Sequence, residues 1–530
     1  DERTDKRKRS VGDLVHIPRV RVLDWLLLQK YGIACDLPDS EKAVLESLMS
    51  FETLERAPLP AELRATLRDY QHAGYSWLAF LYRHGFGGCL ADDMGLGKTL
   101  QTITLLAAIK EGIVTSLTTD PADRRPHLLV VPPTLLFNWQ HEVKTFYPRL
   151  YVHEYTGKGR SLIGIREGIV LTTYDIARRD IESLRERKFD CIIFDEAQSV
   201  KNMLGERAKA MRQLEGRCKL VLTGTPLENH AGEYYGIIDL ALPGLFGDYR
   251  EFMNALRQPN GIFNPLDRAR PFVLRRTKDK ILKELPPKVE SDMHLELSES
   301  QKQFYTSAVA HVRQEVFAAF ADKSAQQAGI VALAALTRLR QICVSPSLID
   351  PAHQEVSPKM QYLVDKLEEL AIEGNAALVF SQFTKSLDLL EKHLGERGIA
   401  RQRLDGSTPQ QKRKELVESF QTGKGPGLFL ISLKAGGAGL NLTRASYVFH
   451  LDPWWNPAAE NQASDRAHRM GQKQTVFIQR LLMRHTIEEK IMLMKAQKLE
   501  LFNRVLAGAE DDGTAGSALI TREDFKFLLE

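Results

Sequence analysis

The sequence CLADDMGLGKTLQT, from Cys89 to Thr102, joins a short apolar approach to a glycine-bearing turn and the start of a helix-forming run. This order predicts a strand, a phosphate-binding loop and a helix, because glycines let backbone N–H groups curl around a polyphosphate. Lys98 would meet the β- and γ-phosphates, and the hydroxyl of Thr99 would ligate magnesium. The strict pattern G-x-x-x-x-G-K-[ST] places a glycine where this chain has Asp92. The shortened GxGKT is also compatible with a plain glycine turn between a buried strand and a surface helix.

Composition sets the broad class of the protein. A chain of 530 residues is too long for one hydrophobic core and predicts about three or four folded units. The 72 basic and 68 acidic side chains nearly balance, so a DNA-binding surface would have to be a local stripe. The five cysteines lie far apart without a C-x-x-C pair, which predicts buried thiols of a reducing compartment and neither zinc ligands nor disulfides. No apolar run reaches about 18 residues, so we expect a soluble intracellular protein without a membrane partner.

In two stretches of the chain, short apolar runs alternate with segments that are long enough to form helices. Continuous apolar runs of this kind are typical of parallel strands that helices cover on both faces, so the predicted fold class is α/β, doubly wound. In the first stretch the predicted strands are at 128–131, 169–171, 191–194 and 220–222. In the second, which has no phosphate loop, they are at 377–380, 403–404, 428–432 and 447–451. The intervening segment is predicted to be helical, at 244–257, 298–321 and 329–343.

Two acidic residues end one of the apolar runs. Residues 191–194 lead directly into Asp195 and Glu196. Carboxylates at the carboxyl end of a buried strand are costly unless they hold a cation or manage a proton. Asp195 would therefore sit at the magnesium, and Glu196 would orient or deprotonate the attacking water. A helix amino-terminal cap is the alternative, but a cap does not explain four apolar residues followed by two acids downstream of the GKT loop.

Two arginines near the end of the second stretch are candidates for charge stabilisation. Gln462, Arg466 and Arg469 have the spacing i, i+4 and i+7, which predicts one face of a helix. Guanidinium groups there would suit a γ-phosphate, where they stabilise charge in the transition state. The alternative is surface salt bridging to Glu460 and Asp465.

A dense basic run occupies residues 275–278 and continues with lysines at 280, 283 and 288. Phosphate contact and bracing between the two halves are both compatible with it, and the sequence leaves both open. Further on, Ser298 and Gln301 have capping-box spacing at the start of a predicted helix.

With these residues in view, the chain resembles the Swi/Snf-type DNA-translocating ATPases of helicase superfamily two over about residues 64–505. The resemblance is carried by motifs in a fixed order, namely LRDYQ (67–71), DDMGLGKT (92–99), LVVPPTLLFNW (129–139), LTTYD (171–175), DEAQ (195–198), LTGTPLEN (222–229), LVFSQF (378–383), LDGST (404–408), ISLKAGGAGLNL (431–442), DPWWNP (452–457) and QASDRAHRMGQ (462–472). It implies two RecA-like lobes with ATP and Mg²⁺ between them, DNA across both, and helical protrusions inserted between them.

The predicted domains are a helical N-terminal extension at 1–62, an ATP-binding lobe at 63–285, a helical protrusion and linker at 286–356, a second RecA-like lobe at 357–506 and a C-terminal tail at 507–530.

The resemblance also implies roles for individual residues. Lys98, Asp195 and Glu196 would serve hydrolysis with Arg466 and Arg469 as arginine fingers, and Thr99 and Asp195 would hold the metal. Gln71 would read adenine, in a nucleotide site that also takes in Asp93, Met94, Gly95, Leu96, Gly97, Lys98, Thr99, Gln462 and Gly437. Coupling to lobe movement would involve Thr223, Gly224, Thr225 and Gln198. The DNA would lie along Pro132, Thr134, Asn138, Trp139, Thr172, Thr173, Gln382, Ser432, Lys434 and Trp455.

These residues lead us to expect an ATP-driven double-stranded DNA translocase that remodels or displaces DNA-bound protein complexes. A strand-separating helicase and an ATP-gated DNA-binding scaffold subunit are the alternatives. The sequence favours a prokaryotic protein at the nucleoid in the cytoplasm, while a eukaryotic origin would place it in the nucleus. An upstream or C-terminal accessory domain or a partner subunit would then select what is displaced.

Overall fold

The structure is a computed structural model that describes residues 54–494 apart from 118–122, 201–204, 225–230, 257–264, 282–285, 323–324, 437–439 and 455–456. It also describes residues 522–529 and five isolated positions before residue 45. Most of the predicted N-terminal extension and tail lie outside these residues, as do three predicted site residues, Thr225, Gly437 and Trp455. Within the described part, no helix combines the length and the apolar character needed to cross a membrane.

The first lobe is built on a seven-stranded sheet in which all the paired strands are parallel. Its strands, in chain order, are β1 (Gly88–Leu90), β2 (His127–Val131), β3 (Val152–Glu154), β4 (Ile169–Thr173), β5 (Phe189–Asp195), β6 (Gly216–Leu222) and β7 (Val273–Leu274). The spatial order is β3-β4-β2-β5-β6-β1-β7. Each of the four apolar runs predicted as strands in this half falls within one of these strands. The predicted doubly wound lobe is therefore confirmed.

Helices cover this sheet and connect its strands. They are α1 (Asp69–Arg83), α2 (Lys98–Lys110), α3 (Leu136–Phe146), α4 (Tyr174–Arg179), α5 (Ile181–Arg185), α6 (Glu206–Arg212), α7 (Ala231–Ala241), α8 (Tyr249–Leu256), α9 (Pro265–Ala269) and α10 (Lys278–Ile281). The central strands β2, β4 and β5 are buried along their whole length, as their continuous apolar sequences predict.

The second lobe has a six-stranded parallel sheet in the order β10-β11-β9-β12-β13-β8. Its strands are β8 (Lys288–Leu295), β9 (Ala377–Ser381), β10 (Arg401–Leu404), β11 (Leu428–Ser432), β12 (Tyr447–His450) and β13 (Val476–Met483). Alternate residues of β9 face two separate apolar clusters, one on each side of the sheet. The helices of this lobe are α13 (Pro358–Ile372), α14 (Thr384–Glu396), α15 (Gln410–Gln421), α16 (Leu433–Gly436) and α17 (Pro457–Ser464).

One strand of the second sheet corrects the sequence prediction. β8 lies within the range 286–356, which the sequence assigns to a helical protrusion, yet it pairs with β13 along its whole length. Its sequence KVESDMHL is mostly polar and its side chains are largely exposed, because the strand is at the edge of the sheet. An exposed edge strand lacks the apolar signal on which the prediction depended.

Two long helices, α11 (Glu299–Asp322) and α12 (Ala325–Val344), form the predicted helical segment and pack against each other. Ser298 caps α11 by accepting a hydrogen bond from the Gln301 backbone N–H at 3.3 Å. The Gln301 side chain does not complete the expected capping box and instead donates to the Ile342 carbonyl at 2.7 Å. The short helix α18 (Arg522–Leu529) packs on α11 through Leu528 and Leu529.

Candidate nucleotide site between the lobes

The phosphate loop connects β1 to α2. Gly95 and Gly97 both have positive φ angles, 87° and 81°, which side chains with a Cβ rarely adopt. The Lys98 ammonium group turns back over the loop and donates to the Asp92 carbonyl at 2.6 Å. The predicted strand, loop and helix therefore exist, with glycines where the backbone requires them.

Asp92 is fully buried beneath this loop. Its carboxylate accepts hydrogen bonds from Arg276 Nε at 2.9 Å and from the amide of Gln101 at 3.3 Å. The Arg276 guanidinium also donates to the Gln101 side-chain oxygen at 2.8 Å and to the Tyr70 carbonyl. The residue that departs from the strict loop pattern is thus an internal anchor for the loop.

The basic run that contains Arg276 also braces the two lobes. The Lys278 backbone N–H donates to Asp93 in the loop at 3.0 Å. The Lys278 ammonium group reaches the second lobe, where it contacts Asp465 at 2.7 Å and donates to the His468 carbonyl at 2.8 Å. Burial lowers the pKa of Lys278, and the neighbouring Asp465 opposes that shift. The sequence left phosphate contact and bracing between the lobes open for this basic run, and these contacts support bracing.

Gln71 lies against the loop and is buried. Its amide donates to the Leu96 carbonyl at 3.2 Å, and its oxygen accepts from the Arg68 backbone N–H at 3.0 Å. A methyl group at Gly97 would lie 2.5 Å from the Gln71 nitrogen, so Gly97 is also needed for this close approach. In this conformation the amide holds the loop, and its predicted contact with adenine stays a prediction.

Asp195 ends β5 and is buried, and three donors fix it. Its two carboxylate oxygens accept from the Trp139 indole N–H at 2.8 Å and from the Glu196 backbone N–H at 2.9 Å, while the Tyr174 hydroxyl donates to its carbonyl at 2.7 Å. Burial and, second to it, the adjacent Glu196 together raise the pKa of Asp195 to about 7. Such a carboxylate gains most from a nearby cation, so the residues present fit a bound Mg²⁺.

Glu196 is one of two described non-glycine residues with positive φ, at 49°. The amide of Gln198 donates to its carboxylate at 2.6 Å, and Gln198 in turn accepts from the Thr223 hydroxyl at 3.1 Å. Gly224 packs on Met94, since a methyl group there would lie 2.9 Å from Met94 Cγ. Of the predicted coupling residues, Gln198 and Thr223 therefore connect the end of β6 to Glu196, and Gly224 contacts the loop.

The arginines of the second lobe meet the loop of the first. Arg466 is buried and its guanidinium lies 4.0 Å from the sulfur of Met94. Burial and the neighbouring Arg469 lower the pKa of Arg466 to about 10, while Glu196 opposes the shift. The stem of Arg469 covers Gly95 so closely that a methyl group at Gly95 would be 2.7 Å from Arg469 Cγ.

These arginines do not share a helix face with Gln462, which corrects the spacing argument. The helix α17 carries a half-buried Gln462 but ends at Ser464. Arg466 and Arg469 follow in turns closed by hydrogen bonds to the carbonyls of Ala463 and Ala467, at 3.2 Å each. Spacing alone cannot show where a helix ends.

Glu142 on α3 lies next to the site, although no sequence pattern predicts it. Its carboxylate accepts from the Asn138 amide at 2.9 Å and lies beside Thr99 of the phosphate loop. Burial raises the pKa of Glu142, while Asn138, Arg469 and Thr99 oppose the shift. A single glutamate in an amphipathic helix gives no sequence signal of this kind.

The residues predicted along DNA divide into two groups. Pro132, Thr134, Asn138 and Gln382 are half-exposed, and the side chains of Lys434 and Trp455 lie outside the described part. Trp139, Thr172, Thr173 and Ser432 are buried, so their side chains do not face solvent in this conformation, and their predicted contact with DNA stays a prediction. Thr172 donates to the Tyr155 carbonyl at 2.9 Å, and Thr173 caps α4 by accepting from the Ile176 N–H at 3.4 Å. A motif at a strand end does not show which of its side chains point inward.

The two sheets, the phosphate loop, the paired acids and the arginines from the opposite lobe define a two-lobed P-loop ATPase. A model of the SNF2-related domain matches residues 70–348, and one of the helicase conserved C-terminal domain matches residues 358–471. The chain belongs to the SNF2-related ATPases of helicase superfamily two.

Its curated relatives are longer proteins. The chain is 36% identical over 499 residues to "Putative ATP-dependent helicase/translocase YwqA" of Bacillus subtilis (strain 168), covering 90% of this chain and 52% of that protein. It is 34% identical over 466 residues to the human SWI/SNF-related matrix-associated actin-dependent regulator of chromatin subfamily A member 1, covering 83% of this chain and 43% of that protein. The chain thus spans about half the length of these relatives.

A solved structure is also similar. The Sulfolobus solfataricus SWI2/SNF2 ATPase core in complex with double-stranded DNA is 31% identical, with a TM-score of 0.43, over 90% of this chain and 99% of that one.

Proposed function

We propose that this chain is the motor core of an ATP-dependent double-stranded DNA translocase that remodels or displaces DNA-bound protein complexes. The observation that carries the proposal is the meeting of Arg466 and Arg469 with the loop residues Met94 and Gly95. A site completed by the second lobe can exist only when the lobes approach, so hydrolysis and lobe movement become one event.

The hydrolytic roles follow from the contacts around the loop. Backbone N–H groups of the loop and Lys98 would hold the phosphates, and Thr99 and Asp195 would hold Mg²⁺. The metal ion would supply charge neutralisation at the phosphate oxygens. Glu196 orients and deprotonates the attacking water, with its carboxylate held by Gln198.

The arginines act in the same step from the second lobe. Arg466 and Arg469 stabilise the negative charge that develops during phosphoryl transfer. Arg466 retains its proton well above neutral pH even though burial lowers its pKa to about 10. Its charge is therefore available at the pH where the protein works.

Movement along DNA requires contact with the backbone rather than with the bases. The net charge of +4 is too small for general attraction to DNA, so short polar side chains and backbone amides have to hold the phosphates locally. Pro132, Thr134 and Gln382 are the predicted contacts whose side chains are half-exposed. The Bacillus subtilis relative, 36% identical to this chain, is named a putative ATP-dependent helicase/translocase, which supports movement along nucleic acid here.

The proposal is tested by the ATPase rate with duplex DNA, single-stranded DNA and RNA at one fixed salt concentration. We expect the strongest stimulation by duplex DNA. Equal stimulation by RNA would contradict it. Glu196→Gln should lower turnover about 10²–10⁴-fold, the usual contribution of a general base, and retain ATP binding. Glu206→Gln is the control, because Glu206 is an exposed carboxylate in the first turn of α6.

Two further assays separate the alternatives. A strand-separating helicase would unwind a forked duplex, whereas a translocase displaces the third strand of a triplex without opening the duplex. A nucleotide-gated scaffold would bind ATP without releasing phosphate. Release of phosphate that increases when duplex DNA is added would exclude the scaffold.

A further inference from the structure

One helix contacts both predicted metal ligands. The Trp139 side chain on α3 is fully buried, and its indole N–H donates to Asp195 at 2.8 Å. One turn further on, Glu142 lies beside Thr99, whose hydroxyl opposes the rise in the pKa of the Glu142 carboxyl. Asp195 and Thr99 come from different connections of the sheet, so α3 is the element that they share.

The same helix begins at the predicted DNA contacts. A short 3₁₀ turn, Pro133–Leu135, leads without a break into Leu136, the first residue of α3. The Leu135 N–H donates to the Pro132 carbonyl at 2.9 Å, so the turn is closed and moves with the helix. Further along α3, the Phe137 ring contacts the second lobe through the Lys414 ammonium group, 4.4 Å from the ring centroid.

We propose that α3 is a positioning element that links contact with DNA at its first turn to the geometry of the magnesium site, with Trp139 as the positioning residue for Asp195 and Glu142 as the positioning residue for Thr99. The inference rests on the proposed function, which supplies the metal ligands and the DNA contact. The motif LVVPPTLLFNW is assigned to DNA binding, and its sequence does not predict that Trp139 points into the lobe towards Asp195.

The indole N–H matters because it restricts the carboxylate. The terminal torsion of an aspartate is broad, so donors decide its orientation. One oxygen of Asp195 is held by the Glu196 backbone N–H at 2.9 Å, and the indole is the side-chain donor to the other oxygen. Without the indole donor the carboxylate would lose a charge-assisted hydrogen bond and could rotate away from the metal.

A matched pair of tryptophan variants tests this role. Trp139→Phe removes the donor and keeps an aromatic ring in the core. Trp77→Phe is the control, because Trp77 is also buried in the first lobe and donates its indole N–H to a carbonyl, that of Pro271, at 3.0 Å. Both variants lose a buried hydrogen bond, but only Trp139→Phe loses the contact with Asp195.

The first measurement is a Mg²⁺ titration of the binding of a fluorescent ATP analogue, followed by ATPase rates with and without duplex DNA. For Trp139→Phe we expect the Mg²⁺ midpoint to rise about tenfold, equivalent to about 1.4 kcal/mol, and the ratio of DNA-stimulated to basal rate to fall. Trp77→Phe should match the wild type in both. The inference is overturned if the two variants behave alike.

A spectroscopic measurement does not depend on turnover. In protein labelled with ¹⁵N-tryptophan, the indole resonance absent from Trp139→Phe identifies Trp139 in the wild type. We expect that resonance to shift when Mg²⁺ and nucleotide are added, and to shift when duplex DNA is added alone. A resonance that responds to neither overturns the inference.

Glu142→Gln is a second variant in case Trp139→Phe does not fold. It should also raise the Mg²⁺ midpoint, whereas Gln140→Ala on the same helix should not, since Gln140 contacts Glu154 away from the site, at 2.7 Å. Loss of DNA stimulation in the wild type would contradict the proposed function instead, and the Mg²⁺ midpoints would still test the contact between Trp139 and Asp195.

Discussion

Asp92 and Arg276 form an ion pair beneath the phosphate loop, with side chains that are 0% and 13% exposed. Such a pair gains little over apolar packing, because removing two charges from water is costly. Removing one partner is a different matter, since it leaves the other charge buried and unpaired. The pair therefore contributes little net stability, but the loss of either partner is costly, and this holds the loop in place.

We predict that Arg276→Ala lowers the free energy of unfolding of the first lobe by about 3–5 kcal/mol, because Asp92 is left buried without its partner. Urea denaturation monitors this loss. The control is Arg207→Ala, which breaks the exposed pair with Asp175 and should cost less than about 1 kcal/mol. Adding Asp92→Asn to Arg276→Ala should restore part of the stability, and no recovery would contradict the pairing argument.

The residue scale also shows what the sequence could and could not predict. Lys98 and Asp195 are recognisable because each sits in a short contiguous pattern beside a strand. Arg276 and Trp139 are not, because their partners Asp92 and Asp195 lie 184 and 56 positions away along the chain. Long-range side-chain pairs depend on how the sheet is ordered, which no local pattern specifies.

At the scale of elements, α12 packs on the second lobe through buried apolar residues and through the buried side chain of Arg340. The Arg340 guanidinium donates to the Gln382 side chain at 2.6 Å, to Asp452 at 3.3 Å and to the Pro453 carbonyl at 2.5 Å. It also lies 5.2 Å from the centre of the Phe383 ring. Arg340 thus holds two loops of the second lobe, one of which carries the predicted DNA contact Gln382.

We predict that Arg340→Met raises the duplex concentration needed for half-maximal ATPase stimulation about tenfold, equivalent to about 1.4 kcal/mol, because Gln382 is released. Affinity for ATP should be unchanged, since Arg340 does not contact the loop. Fluorescence anisotropy with labelled duplex and a fluorescent ATP analogue measures both.

The control is Lys359→Met, which breaks another fully buried pair of the second lobe, with Glu488, at 2.6 Å. Both variants should lose about 3–5 kcal/mol of stability. Only Arg340→Met should weaken DNA binding, and equal weakening in both would show that instability alone is responsible.

Elements also differ in how well the sequence predicts them. Buried strands such as β5 are recognised from continuous apolar runs, and α11 from its length. The edge strand β8 is missed because exposure removes that signal, and the end of α17 because turns can continue a helical spacing. The sequence therefore predicts the core of each sheet better than its edges.

At the scale of the molecule, the two lobes are joined by contacts that surround the nucleotide site. Lys278 of the first lobe contacts Asp465 and the His468 carbonyl, and the Tyr70 hydroxyl contacts the sulfur of Met470 at 3.6 Å. The three second-lobe residues in these contacts, Asp465, His468 and Met470, are sequence neighbours of Arg466 and Arg469. Under the proposed function, lobe closure and the delivery of Arg466 and Arg469 are therefore the same movement.

We predict that Lys278→Met favours an open arrangement of the lobes. Hydrogen bonds to a charged group contribute about 1.5–3 kcal/mol, so their loss should shift the closure equilibrium about 10- to 100-fold. The anchor of the loop should remain, because Asp93 is bound by the backbone N–H of residue 278. Turnover should fall because Arg466 and Arg469 no longer reach the site. Binding of ATP to the first lobe should weaken less than turnover falls.

Energy transfer between dyes at Lys158→Cys in the first lobe and Lys424→Cys in the second measures the closure, since both lysines are exposed. Lys278→Met should lower transfer efficiency with ATP and duplex DNA present. Lys366→Met is the control, because it removes only a surface pair with Glu369 on α13. Turnover that falls without any change in transfer would show that Lys278 acts within the site and not on the lobes.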